Sequence, residues 1–155
     1  MEIKTYLNQY NISFKTFSHP PVFTCEEAEK YNQEIRGIHS KKLFLTNKKK
    51  TKFYLVILPA DKKLDLKELS ENLNSKLKFA NEQDLKTILN LTPGAVSPFG
   101  LINDSEHKTE IIVDKQVWES DFVSFHPNIN TETLELSKQD FHKFLESLEN
   151  KTRVV

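Results

Sequence analysis

The residues most able to do chemistry are a loop bracketed by glycine and proline, the histidines and one cysteine. Residues 94–100 read Gly-Ala-Val-Ser-Pro-Phe-Gly and hold two of the three glycines in the chain. Glycine permits close approach of the backbone and proline stiffens it, so this segment predicts a rigid, exposed loop. On spacing alone, the loop is either a tight turn between a helix and a strand or a backbone site for a ligand.

The histidines and the cysteine give weaker signals. His19 and His126 each precede a proline at the end of a predicted strand, where a side chain can line a cleft. His107 and His142 lie in polar surroundings that are typical of the surface. Cys25 falls in the first turn of a predicted helix, which favours a thiolate, although a buried structural thiol is the simpler interpretation. The sequence contains no glycine-rich nucleotide loop, no serine elbow and no Cys/His cluster with zinc spacing.

Hydrophobic periodicity and capping residues predict the elements that position these candidates. The strongest strand pair is residues 40–46 with residues 52–58, because the apolar run of the second strand is typical of a central strand covered on both faces. Further strands are predicted at residues 12–17, 76–80, 101–102, 111–113, 122–125 and 131–136. Helices are predicted to begin near residues 2, 24, 65, 81 and 137. These elements predict one α+β domain over residues 1–150, with a mixed, largely antiparallel sheet, followed by a flexible tail at residues 151–155.

Composition indicates a globular protein and excludes an integral membrane protein. The chain has 155 residues, of which 37% are hydrophobic, and no apolar run approaches the roughly 20 residues of a membrane span. The N-terminal residues lack the apolar core of a signal peptide, and a single cysteine cannot form an internal disulfide. We therefore expect a cytoplasmic protein.

Charge is balanced over the whole chain but uneven along it. The formal net charge is +0, from 22 basic and 22 acidic residues, so no global field attracts nucleic acid. Residues 41–52 nevertheless contain lysines at positions 41, 42, 48, 49, 50 and 52 and no acid. This patch fits local phosphate contact, or else a solvated hairpin tip whose lysines protect a strand edge.

Four segments taken together resemble a known family. They read His19-Pro20-Pro21-Val22-Phe23-Thr24, Gly37-Ile38-His39-Ser40-Lys41-Lys42-Leu43-Phe44-Leu45, Gly94-Ala95-Val96-Ser97-Pro98-Phe99-Gly100-Leu101 and His126-Pro127-Asn128-Ile129-Asn130-Thr131-Glu132-Thr133. In this order and at these separations they closely resemble the YbaK/prolyl-tRNA editing family of aminoacyl-tRNA deacylases, over roughly residues 1 to 150. The pattern is most similar to the free-standing branch that removes alanine from mischarged tRNA-Pro.

The resemblance implies a barrel-like mixed sheet flanked by helices, and an enzyme that hydrolyses the ester at the 3′ end of tRNA without a metal or a cofactor. The catalytic residue that it implies is Lys41, in the His-Ser-Lys segment. Substrate contacts are implied for Phe23, Lys42, Gly94, Ala95, Val96, Ser97, Pro98 and His126. The implied partners are the acceptor end of tRNA-Pro and a prolyl-tRNA synthetase.

The chemistry of an aminoacyl ester is consistent with these implied roles. The ester is already activated, so an enzyme need supply only positioning and charge stabilisation. A lysine at the start of a strand can hold the terminal phosphate or the ester carbonyl, and backbone N–H groups of a rigid loop can donate to the developing oxyanion. Small loop residues such as Ala95 and Ser97 leave room for a small side chain, as in a second sieve that hydrolyses what a synthetase cannot reject.

Lys42 departs from the family pattern, in which many relatives carry asparagine after the catalytic lysine. Strand alternation predicts that Lys41 and Lys42 face opposite sides of the sheet. Lys42 is then expected to face solvent, or else to touch the substrate and alter which amino acid is selected. Two alternative functions remain: a deacylase of cysteinyl-, seryl- or threonyl-tRNA, and a non-catalytic module that docks on tRNA or on a synthetase.

Overall fold

The computed structural model describes residues 2–20, 36–127, 129 and 131–155. In this part of the chain the helices are α1 (Ile3–Gln9), α2 (Leu66–Asn72), α3 (Glu82–Leu89), α4 (Lys115–Glu119) and α5 (Lys138–Ser147). The strands are β1 (Lys15–Ser18), β2 (Ser40–Asn47), β3 (Phe53–Pro59), β4 (Leu77–Phe79), β5 (Thr109–Val113), β6 (Phe122–Phe125), β7 (Glu132–Ser137) and β8 (Thr152–Val154). None of the helices within these ranges is long and apolar enough to cross a membrane. The helix predicted near residue 24, with Cys25 in its first turn, lies outside the described residues.

The strands form two sheets that confirm the predicted α+β class. One sheet has the order β1-β7-β6 and is antiparallel throughout. The other has the order β4-β2-β3-β5-β8, in which β2 is antiparallel to both neighbours and β5 is parallel to both of its own. A parallel bridge between Ile38 and Val123 joins the segment that leads into β2 to the edge strand β6. Antiparallel pairs therefore predominate, as predicted.

The predicted hairpin is confirmed, and its second strand is the centre of the larger sheet. β2 and β3 pair in the register Ser40↔Pro59 to Thr46↔Phe53. All seven residues of β3 are buried, because its two faces pack into different hydrophobic clusters. Leu55 and Ile57 belong to the main core, which includes residues of α1, α5 and the smaller sheet. Tyr54, Val56 and Leu58 belong to a second cluster that includes Leu69 of α2.

Helix starts follow the predicted capping residues. The side chain of Asp65 accepts a hydrogen bond from the N–H of Glu68 at the start of α2. Asn81 and Asp84 form a reciprocal capping box at the start of α3, and the Ser137 side chain accepts from the N–H of Asp140 in α5. Each cap satisfies a backbone N–H that has no partner within the helix.

Position 37 is where the fold most clearly requires glycine. Its φ is +95°, and a Cβ placed there would lie 2.1 Å from the carbonyl oxygen of Phe122. This close approach lets the N–H of Ile38 donate to the same oxygen at 3.3 Å. On the N-terminal side of Gly37, the backbone N–H of Arg36 donates to the buried carboxylate of Glu135 at 2.8 Å. Gly37 therefore fixes where the chain enters β2.

Two predictions about secondary structure are wrong. Residues 101–102 are not a strand but part of a 3₁₀ helix at Pro98–Asn103, because Pro98 sets the backbone angle and the Ser97 hydroxyl accepts from the N–H of Phe99. Residues 151–155 are not a loose tail, because Thr152–Val154 form β8 against β5. The N–H of Val155 also donates to the carbonyl of Val113 at 2.9 Å.

Candidate active site

The two adjacent lysines of β2 face opposite sides of the sheet, as predicted. Lys42 pairs in register with Ile57, whose side chain is in the main core. Lys41 pairs with Leu58, whose side chain is in the second cluster. Directly opposite residues of an antiparallel pair share a face, so Lys42 is the lysine on the main-core side.

Lys42 is half-buried, and the expectation that it faces solvent is wrong. Its ammonium donates to the carbonyl of Ser40 at 3.1 Å and lies 5.6 Å from the centroid of the Phe125 ring. The hydroxyl of Ser40 is itself buried and has no hydrogen-bond partner among the described residues. A cation held over an aromatic face beside an unpaired hydroxyl marks this side of β2 as a polar cleft.

Two histidines from the smaller sheet line the same cleft. His126 follows Phe125 directly, and its Nδ1 donates to the carbonyl of Glu132 at 2.8 Å. His19 Nε2 lies 2.8 Å from the hydroxyl of Thr133, and its Nδ1 donates to the carbonyl of Pro20 at 2.9 Å. A carbonyl can only accept, so Nδ1 carries the proton in both rings. In a neutral His126, Nε2 therefore has its lone pair available for a substrate.

Burial lowers the pKa of His126 below its ordinary value, and the charges of Lys42 and His19 lower it further. The hydrogen bond to the Glu132 carbonyl opposes this shift but does not reverse it. His126 is therefore a neutral imidazole near pH 7, able to accept a hydrogen bond or a proton. A group whose pKa is shifted by burial and by a neighbouring charge is a candidate for a functional site.

The loop at residues 94–100 reaches this cleft through its aromatic residue. The Phe99 ring packs edge-on against the Phe125 ring, with 6.0 Å between their centroids. Ser97 is fully buried, Ala95 is buried, and the glycine at position 94 is exposed. The backbone N–H groups of Val96 and Ser97 donate to none of the residues that the structure describes. Buried N–H groups without an acceptor are rare, so the N–H of the buried Ser97 is a candidate donor to a ligand, as is that of its half-buried neighbour Val96.

The structure brings together only some of the residues predicted for the site. Lys42, His126 and the loop residues Ala95–Pro98 are linked through Phe125 and Phe99, as above. The Lys41 side chain forms no hydrogen bond or ion pair with any described residue, and it faces the other side of β2. Phe23 lies outside the described residues. In the described part of the chain, no group of three or more His, Cys, Asp or Glu could hold a metal ion.

Sequence reasoning missed Phe125, Thr133 and Ser40 as residues of the cleft. Phe125 joins the loop to Lys42, and Thr133 holds the ring of His19. Phe125 could have been found, because it immediately precedes His126 and its side chain must point to the core side of β6. The roles of Thr133 and Ser40 depend on strand register, for which the sequence carries no local signal.

Comparison with protein-family models gives a match to the aminoacyl-tRNA editing domain over residues 19–144. The matched range begins at His19 and includes both lysines of β2, the loop and His126. The chain belongs to the aminoacyl-tRNA editing domain family. The resemblance found from four short segments is thereby confirmed.

Curated relatives align with this chain over almost their whole length. Prolyl-tRNA editing protein ProX of Acetoanaerobium sticklandii is 39% identical over 150 residues, which cover 96% of this chain and 92% of the relative. Prolyl-tRNA synthetase associated domain-containing protein 1 of Xenopus laevis is 35% identical over 149 residues, which cover 93% of this chain and 88% of the relative.

Solved structures share the fold at low sequence identity. The crystal structure of a candidate trans-editing enzyme for prolyl tRNA synthetase superposes with a TM-score of 0.78 at 15% identity, covering 99% of this chain and 92% of that one. A hypothetical protein of known structure gives a TM-score of 0.75 at 17% identity, covering 98% and 97%. At such identities the likeness concerns the fold alone. It confirms a single editing-type α+β domain.

Proposed function

We propose that this editing domain is a trans-acting deacylase that hydrolyses mischarged tRNA-Pro, with alanyl-tRNA-Pro as its preferred substrate. The observation that carries the proposal is the Lys42 ammonium held over the Phe125 ring beside a neutral His126, with Phe99 of the loop packed edge-on against the same ring. The choice of tRNA-Pro is supported by ProX, which is named as a prolyl-tRNA editing protein.

The reaction needs stabilisation of charge more than it needs a protein nucleophile. Water adds to the ester carbonyl, the ester C–O bond breaks, and the proton released from water ends on the ribose oxygen that leaves. Backbone N–H donors at the position of the developing oxyanion lower the barrier in such reactions by about 3–4 kcal/mol for each donor. The N–H groups of Val96 and Ser97 are suited to this role. The Nε2 lone pair of His126 is suited to orient the water or the ribose hydroxyl.

Lys41 is proposed as the catalytic cation that holds the terminal phosphate, since it lies on the face of β2 opposite Lys42 and the loop. Its support is the His-Ser-Lys segment shared with the family, together with its lack of an ion pair among the described residues. Lys42 is proposed as a residue that lines the amino-acid side of the cleft. The two roles lie on opposite faces of one strand, so the two lysines can be tested separately.

The proposed preference for alanine is supported by the small size of the loop side chains. Ala95 and Ser97 are buried, and Lys42 extends over Phe125 and narrows the space on that side. A site lined by such small side chains is suited to small aminoacyl groups and excludes proline, whose ring needs more room. Cysteine, serine and threonine are the nearest competitors in size.

The test is a deacylation panel with tRNA-Pro charged separately with alanine, cysteine, serine, threonine and proline. We expect release of alanine to be fastest, with prolyl-tRNA-Pro left intact, and the same rates after dialysis against EDTA because no metal is proposed. Faster release of cysteine than of alanine would overturn the substrate assignment. Salt-sensitive tRNA binding without turnover of any of the esters would favour a non-catalytic module that docks on tRNA or on a prolyl-tRNA synthetase.

A further inference from the structure

Lysines from two distant segments meet at one end of the larger sheet. The turn between β2 and β3 carries Lys48, Lys49 and Lys50. β4 brings two more lysines beside it, because β4 pairs with β2 in the register Thr46↔Lys78 and Asn47↔Leu77. Lys76 directly precedes that strand. We call this surface the basic edge, and define it by Lys48, Lys49, Lys76, Lys78 and Phe79.

The lysines of the basic edge are exposed and mostly without acidic partners. Lys48, Lys49, Lys76 and Lys78 form no ion pair with any described residue. Lys50 differs, because its ammonium lies 3.0 Å from the carboxylate of Asp84. Farther along the same end of the sheet, Lys108 pairs with Glu106 at 2.8 Å, so the uncompensated charge is concentrated at β2 and β4.

The turn that carries these lysines is well braced. The Asn47 side-chain carbonyl accepts from the N–H groups of Thr51 at 2.9 Å and Lys52 at 3.2 Å, and its amide donates to the Thr51 hydroxyl at 2.7 Å. The Thr46 hydroxyl donates to the Lys52 carbonyl at 3.0 Å. A braced backbone fixes the positions from which the lysines project, so less backbone entropy is lost when they bind a phosphate.

Phe79 adds an exposed aromatic side chain to this end of the sheet, on the face of β4 opposite Lys78. It is 57% exposed, although it lies within a strand and pairs in register with the fully buried Leu45. Exposed aromatic rings among unpaired lysines are characteristic of surfaces that contact the sugars and bases of nucleic acids. A solvent-facing strand residue would more commonly be polar.

We propose that the basic edge binds the phosphate backbone of the RNA stem whose aminoacylated 3′ end occupies the cleft. This proposal rests on the proposed function. Lys42 and Asn47 are five residues apart on β2, so the cleft and the basic edge are separated by about 17 Å at 3.4 Å per residue. At about 3.4 Å per nucleotide along one strand of a duplex, this distance spans several nucleotides. The edge therefore contacts the stem rather than the terminal nucleoside.

The test uses charge-reversal pairs in the full chain. The variants are Lys48→Glu/Lys49→Glu and Lys76→Glu/Lys78→Glu, and the control is Lys15→Glu/Lys143→Glu, which makes the same change in net charge away from the larger sheet. Three quantities are measured for each: the Kd for uncharged tRNA-Pro as a function of salt, the kcat and KM for alanyl-tRNA-Pro, and the hydrolysis of an alanyl ester of the terminal trinucleotide.

We expect each edge pair to weaken tRNA binding by about tenfold or more and to lower the salt slope by about 2. KM should rise by a similar factor, whereas kcat and hydrolysis of the trinucleotide ester should match wild type. Wild-type Kd and KM in both edge pairs would overturn the proposal, as would loss of binding to prolyl-tRNA synthetase with tRNA binding unchanged, since the surface would then be a protein contact. A further outcome is that wild type binds tRNA in a salt-sensitive way that the edge variants lose, yet hydrolyses no ester. That result would support the basic edge as an RNA-binding surface and would contradict the proposed function.

Discussion

The imidazole rings of His19 and His126 meet edge to face, with 5.8 Å between their centroids. Their meeting follows from the smaller sheet, in which β1 and β6 both pair antiparallel with β7 and therefore end on the same side. His19 is the residue after β1 and His126 the residue after β6. The order of the strands thus creates a histidine pair that faces Lys42.

The stability of the domain should fall as the pH falls below the ordinary histidine pKa of about 6.5. The folded-state pKa of His126 is lowered, so below pH 6.5 the unfolded chain binds a proton that the native state still lacks. The unfolding free energy therefore decreases from pH 7 towards pH 5. Urea unfolding of wild type and of His126→Asn at several pH values measures the difference. Identical pH slopes in the two proteins would contradict the burial of a neutral His126.

The charge of Lys42 should affect the pKa of His126, and the charge of Lys41 should not. Lys42→Met removes one of the charges that lower the pKa of His126, so that pKa should rise. Lys41→Met is the matched control, because Lys41 lies on the opposite face of β2. NMR titration of the His126 ring protons checks this. Equal shifts in both variants would mean that the two lysines are not separated by the sheet.

Replacing Gly37 by alanine should destabilise the domain by more than about 2 kcal/mol. The new Cβ would lie 2.1 Å from the carbonyl oxygen of Phe122, and the residue would be held at a φ of +95°. The control is Gly94→Ala, which is exposed and does not have a positive φ, and which should change the unfolding free energy by less than about 1 kcal/mol. Denaturant unfolding compares the two variants. Equal decreases in the unfolding free energy would show that the fold does not require glycine at position 37.

Removing residues 151–155 should cost about 3 kcal/mol of unfolding free energy. These residues supply β8, and Lys151 and Arg153 lie 3.7 Å and 3.6 Å from the buried carboxylate of Glu110. Truncation would remove both cations together with the hydrogen bonds that join β8 and Val155 to β5. Arg153→Met, which keeps the strand but removes one cation, should lie between wild type and the truncated protein. A truncated protein with the wild-type unfolding midpoint would restore the interpretation as a loose tail.

The main elements and the family could be predicted from the sequence because their signals are local. The apolar run of β3 and the caps at Asp65, Asn81 and Ser137 each depend on neighbouring residues, and all four are confirmed. β8 could not be predicted, because Thr152–Val154 is too short for periodicity and is ordered only by pairing with β5. The 3₁₀ helix after Ser97 was not predicted, because the apolar pair at residues 101–102 is also typical of a strand.

The cleft could be predicted only in part, for a related reason. Opposite orientations of Lys41 and Lys42 follow from strand alternation, but which of them faces His126 depends on how β2 pairs with β3. The meeting of His19 with His126 depends on the order of strands in the smaller sheet. Register and strand order are properties of long-range pairing, and a single sequence does not determine them.

The most direct test of the account is single-turnover hydrolysis of alanyl-tRNA-Pro by wild type and by Lys41→Met, with circular dichroism to confirm that the variant is folded. The account predicts that wild type releases alanine at least about a hundredfold faster than spontaneous hydrolysis, and that Lys41→Met loses most of that acceleration. Wild-type release at the spontaneous rate, or full activity in folded Lys41→Met, would contradict it.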